Sequence, residues 1–336
     1  LVIDWRSGLG NFMLRYLVTS SVLLLSACSA FQPAESVTHL AVVLHNDAPE
    51  RQDLGLLSYR GGLHLSHPDP AFGGWSALDI SDDGANMVAV SDSAYWMTAG
   101  LSWTEGGWLD AVSDIEIAPL LGTEGQELTG SEEDSESIAK LADGRYAVAF
   151  ERHHRMNVYD LGTNFEHMQS AQGQSLPMPP GMEDLPSNGG LEGLVALDDG
   201  AILAAVEFPP SEDEARLLWH FDGTDWVPVR VQATPDFAMT SLDVHGGYIY
   251  ALERFWEAEI GTRIRIIRFA TSALTSGDII EPELLAALEA SNPVDNFEGI
   301  SILDRDGETL VLIISDDNYN QYGDQRTLLL AFAVDE

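Results

Sequence analysis

Five segments of this chain repeat one pattern, an apolar run, a tight turn and a second apolar run, and that repeat constrains the fold more than any other feature. They are WSALDISDDGANMVAVSD (75–92), ESIAKLADGRYAVAFE (136–151), LEGLVALDDGAILAAVE (191–207), the looser TSLDVHGGYIYALE (240–253) and FEGISILDRDGETLVLIISDD (297–317). An Asp-Gly or Gly-Gly pair between strand-forming runs specifies a β-hairpin. The turn glycines Gly84, Gly144, Gly200, Gly247 and Gly307 lie 60, 56, 47 and 60 residues apart. Each interval holds a hairpin and a second strand pair, with outer strands expected at 108–120, 216–223, 225–231, 263–270 and 326–334. Four antiparallel strands repeated radially make a propeller blade and protect the sheet edges.

The expectation is an all-β β-propeller of six blades of antiparallel strands. Residues 28–336 would hold about six blades at roughly 50 residues each. Residues 39–70 would supply the sixth, with strands at 40–44, 54–59 and 61–65, and the strand at 326–334 would close the ring. The segment 281–290 (EPELLAALEA) is the one stretch that reads as an amphipathic helix. The competing architecture is a β-sandwich or an irregular all-β domain.

The N-terminus reads as an export signal. Residues 1–12 look like a mis-annotated leader, and Met13 is the expected start. Residues 13–27 carry Arg15 and then an apolar run too short to span a membrane as a mature helix. Leu25-Ser26-Ala27-Cys28 resembles the lipobox of bacterial lipoproteins, with the chain's single cysteine as the lipidation site. An ordinary exported protein with a chance cysteine is the alternative. Residues 28–38 would be a lipidated tether and 39–336 the folded domain. By the same resemblance, Ser29 points to the outer membrane, facing the periplasm; a periplasmic or secreted protein is the alternative. One cysteine excludes an internal disulfide and a multi-cysteine metal cluster.

Asp and Glu number 54 against 16 Lys and Arg, a formal net charge of −38, which argues against nucleic acid as a partner. The acids are not evenly spread. Asp92, Glu136, Glu151, Glu192, Glu207, Glu253, Glu298, Asp316 and Asp317 fall at the hairpin ends opposite the turns. If the hairpins are inner strands of radial blades, these side chains converge at one mouth of the central channel, and the run ending at Glu136 could bring Glu132, Glu133 and Asp134 there. Crowded carboxylates must gain protons, pair with arginines or hold a hard cation, for which Ca2+ suits an all-oxygen set. A ring of blade-tying salt bridges is an equally good account. Asp83, Asp143, Asp199 and Asp306 are explained by turn chemistry. Trp256, unlike the other tryptophans, follows Arg254 at the proposed rim.

The sequence carries no G-x-S-x-G elbow, HExxH, P-loop or G-x-G-x-x-G. His153 and His154 are adjacent, so on a strand they would point apart and make no metal pair. The segments at 134–160, 188–207, 251–256 and 295–302, with SDDNYN (315–320) and QRTLLLAF (325–332), resemble the phytase-like domain of bacterial proteins described as having esterase-like activity of phytase. The resemblance spans about residues 50–334. It implies an exported propeller-like domain; better characterised propeller phytases, which it resembles, use calcium ions in an acidic channel to bind phosphate and to activate water. On the matching NFEGI and SDDN positions it makes Glu298, Asp316 and Asp317 the leading cation ligands, beside Glu136 and Glu192. Arg152, Arg155, Arg254 and Arg326, with His153, are the expected contacts to a small anionic substrate. The chain departs from better characterised phytases in having Lys140 as its only lysine and no multi-Asp calcium motif. The expectation is a calcium-dependent phosphoester or ester hydrolase, or else a non-catalytic metal- or ligand-binding envelope scaffold.

Overall fold

The computed structural model describes residues 37–207, 215–275, 277–321 and 323–335. The expected signal segment and Cys28 lie outside the described residues. Among the described residues no helix is long and apolar enough to cross a membrane.

All five repeated hairpins form, and each is the inner strand pair of one blade. Blade 1 runs outward through Trp75–Ile80, Asn86–Ser91, Tyr95–Trp103 and Leu109–Pro119. Blade 2 uses Ser135–Lys140, Tyr146–Phe150, Arg155–Tyr159 and Gln174–Leu176. Blade 3 uses Leu191–Ala196, Ile202–Val206, Ala215–Phe221 and Trp226–Gln232, with Ile279–Ile280 added in parallel at its edge. Blade 4 uses Ala238–His245, Tyr248–Glu257, Gly261–Ala270 and Glu283–Leu288. The last of these corrects the expected helix at 281–290, because pairing with Gly261–Ala270 outweighs the helical propensity of a Leu/Ala-rich run.

The propeller has five blades, not six. Residues 38–66 build no blade of their own: Leu57–Ser66 pairs antiparallel with the C-terminal strand Thr327–Val334, and Thr38–Ala41 pairs with Leu57–Ser66. Blade 5 therefore comprises Asn296–Arg305, Glu308–Asp316 and Thr327–Val334 from the C-terminal end and, from the N-terminal side, Leu57–Ser66, Thr38–Ala41 and the short Asp53–Leu54 paired with Leu57–Ser66. Gly61-Gly62, read as the head of a separate strand, lies inside one continuous strand. A Cβ on Gly62 would come within 2.3 Å of the Tyr59 hydroxyl, so the pair serves close packing and not a turn. The excursions at 160–173 and 177–190, before and after the outermost strand of blade 2, absorb residues without adding strands, so the chain holds five blades where its length suggests six.

The inner strands neighbour one another in a closed cycle, blade 5 returning to blade 1. Buried apolar residues of the described chain form five clusters, one in each blade interface. In blade 1, Ala77, Val88 and Val90 face blade 2, while Leu78, Met87 and Ala89 face blade 5. Alternation sends successive side chains to opposite interfaces, which is why the inner strands are apolar throughout. Hydroxyls stitch neighbours together: Ser135 Oγ donates to the Ser91 carbonyl at 2.6 Å, and Ser301 Oγ accepts from Ile80 N at 3.0 Å across the closure.

Candidate functional site

A β-bulge repeats at the same place in every blade. The register between the inner two strands slips at Trp75/Ala77, Ser135/Ser137, Leu191/Gly193, Met239/Ser241 and Phe297/Gly299. Each slip leaves one unpaired residue, respectively Ser76, Glu136, Glu192, Thr240 and Glu298, and a bulge re-aims the side chain it carries. All five are buried. Ser76 and Thr240 turn to backbone carbonyls, of Gly74 and Phe297. The three glutamates project into one cavity of about 770 Å³. The partner strands reach it too: Asp92, Glu151 and Glu207 directly follow Asn86–Ser91, Tyr146–Phe150 and Ile202–Val206, Arg254 lies within Tyr248–Glu257, Asp316 ends Glu308–Asp316, and all five line the same cavity. Asp134 and Asp295 complete the acidic wall, with Arg152 and Arg326 beside them.

The acids divide into two electrostatic neighbourhoods. On the blade 4–5 side Arg254 Nη1 lies 2.8 Å from Glu298 Oε1, and its Nη2 lies 3.5 Å from Glu207. Asn296 donates to Glu298 at 2.9 Å and to Asp316 at 3.0 Å, and accepts from Arg254. On the blade 2–3 side, oxygens of Asp134, Glu136 and Glu151 lie within 4.8 Å of one another, as do those of Glu151, Glu192 and Glu207. Glu151 Oε1 accepts from Gly189 N at 2.7 Å and from Gly190 N. A Cβ on Gly190 would stand 2.8 Å from His154 Nδ1, so the Asn-Gly-Gly run lets backbone amides reach that carboxylate. Arg152 pairs with Asp134 at 2.6 Å and Arg326 with Asp295 at 3.1 Å.

Glu136 and Glu192 stand apart, because each is more than nine-tenths buried and neither has a hydrogen-bond or ion-pair partner among the described residues. Burial first, and then neighbouring carboxylates, push both well above the ordinary glutamate range. Burial also raises Asp316 well above its usual value. Glu298 is pushed by burial up to about 7, held back by Arg254, and burial raises Glu207 and Asp134 to about 6. A pocket that desolvates so many acids with so few cations is short of positive charge.

Of the residues expected from sequence, Arg152, Arg254, Arg326, Glu136, Glu192, Glu298 and Asp316 meet in the cavity. Asp317, Arg155, His153, Glu253, Glu132 and Glu133 do not line it. Asp317 caps a short 3-10 turn and accepts from Gly74 N and Tyr319 N, both at 3.1 Å. The Arg155 guanidinium stacks 3.8 Å over the Phe150 ring and bonds the Glu132 carbonyl. His153 lies in a turn, not on a strand, with Nδ1 2.6 Å from Glu132, and His154 bonds the Pro186 carbonyl. Glu253 is fully buried on the far face of its strand, 3.9 Å from Arg216 and 3.4 Å from Arg265, with Thr234 donating at 2.7 Å. The fourth repeat is one residue out of step with its apparent alignment: Glu253 pairs with Met239, and Arg254 holds the ring position. Glu151 and Glu207 are the ligand candidates that sequence reasoning underrated, although the repeat alignment contains both.

The family described as "Phytase-like: Esterase-like activity of phytase" matches residues 70–319. No curated protein matches the chain. Among solved structures it is similar to a virginiamycin B lyase from Staphylococcus aureus, at 13% identity and TM-score 0.39, covering 88% of this chain and 99% of that one. It is similar to the Malassezia sympodialis allergen Mala s 1, at 13% identity and TM-score 0.41, covering 88% and 95%. A luciferin-regenerating enzyme aligns at 12% identity and TM-score 0.41, covering 79% and 95%.

Proposed function

Given that the chain belongs to the phytase-like family, we propose that its axial cavity is the site of a calcium-dependent hydrolase acting on a small anionic phosphoester. The observation that carries this reading is the pair Glu136 and Glu192, buried in an accessible cavity with no partner. A buried carboxylate left unpaired is costly, and a hard cation removes that cost where no arginine pairs with it. The donor set fits: Asp134, Glu136, Glu151, Glu192 and Glu207 are all oxygen ligands, drawn from two blades and grouped about Glu151. When bound, the cation would supply neutralisation of these acids, polarisation of a phosphoryl oxygen and a lowered pKa for water.

The protein's own contribution is orientation. Arg152, Arg254 and Arg326 ring the acids and can present paired N–H donors to the substrate's anionic group. Among the described lining residues there is no serine, cysteine, histidine or lysine. That favours direct attack by water on a phosphoester over a covalent serine-esterase route. The second reading, a non-catalytic scaffold that holds a metal or ligand, is favoured by Arg254, whose Nη1 already bonds Glu298 and Asn296 and whose Nη2 lies 3.5 Å from Glu207.

The test is calcium titration of the purified protein with phosphomonoester and carboxylester turnover measured in parallel. Saturable, calcium-dependent phosphate release supports the hydrolase. Calcium binding that raises the melting temperature without turnover supports the scaffold, and no calcium effect sinks the cation site. The lipobox-like tetrad ending at Cys28 further supports a lipid-anchored protein of the bacterial envelope, facing the periplasm. Metabolic labelling with a fatty acid, lost in Cys28→Ala, tests it.

A further inference from the structure

Among the tryptophans of the described chain, Trp256 alone is exposed, at 68%, and it sits on the lining of the axial cavity. Its position follows from strand geometry. Residues two apart project from the same face of a strand, so Trp256 shares the cavity face with Arg254, about 7 Å further along. Glu253 and Phe255 take the opposite face, where Phe255 packs against Phe237 with ring centroids 5.6 Å apart. The strand does not fray here. Tyr248–Glu257 pairs with Gly261–Ala270 through ten successive residues, Trp256 opposite Thr262, which also lines the cavity. No ring among the described residues packs on the indole. A rigid strand therefore holds a large apolar face in water at the mouth of a site whose other walls are charged, and aromatic faces so placed bind flat rings.

We propose that Trp256 is a specificity-determining residue that stacks on a ring of the substrate while Arg254 and its neighbours hold the anionic group. The substrate class is then an anionic ester carried on an aromatic ring, whose flat face matches the indole. This rests on the anion-binding reading of the cavity and adds a choice among anions.

The experiment uses phosphonates, which cannot be hydrolysed, so that binding is read without turnover. Calorimetry with calcium present compares methylphosphonate, phenylphosphonate and cyclohexylphosphonate on the wild type, Trp256→Ala and Trp256→Phe. The expected result is phenylphosphonate binding about 10-fold tighter than methylphosphonate, and tighter than cyclohexylphosphonate. Trp256→Ala should bring that ratio close to 1 with methylphosphonate affinity unchanged, and Trp256→Phe should restore much of it. Cyclohexylphosphonate binding as tightly as phenylphosphonate would overturn the aromatic assignment. Equal affinities in the wild type, or a preference that survives Trp256→Ala, would overturn the role of Trp256 and leave the anion site standing. Failure of all three to bind would overturn both. An unchanged melting temperature in Trp256→Ala controls for folding, since the exposed side chain buries little.

Discussion

Arg254 stands in blade 4 where each of the other four blades places a carboxylate, and its guanidinium lies 2.8 Å from Glu298. One cation thereby serves acids of two blades, Glu207 of blade 3 and Glu298 of blade 5, and Asn296 also accepts from it. Arg254 is held charged: burial opposes this, but Glu298, Glu192 and Glu207 together outweigh it.

Arg254→Met should accordingly leave Glu298 and Glu207 unpaired in a desolvated site. Removing one partner of a buried pair costs roughly 3–5 kcal/mol, and the partial exposure of Arg254 reduces this to about 2 kcal/mol. The loss should be smaller at pH 5, where both glutamates take up protons. Urea denaturation at pH 5 and pH 8 reads the difference.

Calcium-free protein should be most stable in mild acid. The buried carboxylates titrate higher in the folded state than in the unfolded chain, so the folded state binds more protons between them. Their contribution is complete below the unfolded value, near 4.3, and is lost as pH rises through the folded values of about 6 for Glu207 and Asp134 and about 7 for Glu298. Melting temperatures in a chelator should fall from pH 5 to pH 8, and calcium should offset most of the fall. A flat profile in chelator would contradict it.

Glu192→Gln should separate stability from binding. Without calcium it removes an unpartnered carboxyl whose ionisation burial opposes, so the melting temperature at pH 8 should rise by a few degrees. Calcium affinity should drop at least 10-fold by calorimetry, because a carboxylate ligand becomes a neutral amide. Glu136→Gln should behave alike.

Glu253→Gln is the converse case. It strips Arg216, fully buried, and Arg265 of their carboxylate, at a cost of about 3 kcal/mol in chemical denaturation. Calcium affinity should not change, since Glu253 lies behind the strand and outside the cavity. A loss of affinity equal to that of Glu192→Gln would refute the register described for blade 4.

Removing residues 327–336 should abolish folding, because Thr327–Val334 joins the inner strands of blade 5 to Leu57–Ser66. Its loss exposes two apolar strand edges at once. Expression as insoluble protein is the expected readout, and a soluble monomer with intact near-ultraviolet dichroism would argue against closure by that strand.

The sequence by itself determined the hairpins, because turn chemistry and strand-forming runs are local properties, and it determined that acids would cluster at the hairpin ends opposite the turns. It could also single out Trp256 and the arginines as neighbours of those acids. Tertiary structure alone decided the rest. Whether the N-terminal strands make a sixth blade or complete the fifth depends on pairing between residues some 270 positions apart, which no local pattern records. Which acids enter the cavity depends on register: with a side-chain period of two, a shift of one residue sends Glu253 behind the strand and puts Arg254 at the mouth. The bulges that aim Glu136, Glu192 and Glu298 inward exist only between paired strands. Charge at the axis is thus written in the composition of each hairpin, but its direction is set when the five blades close on one another.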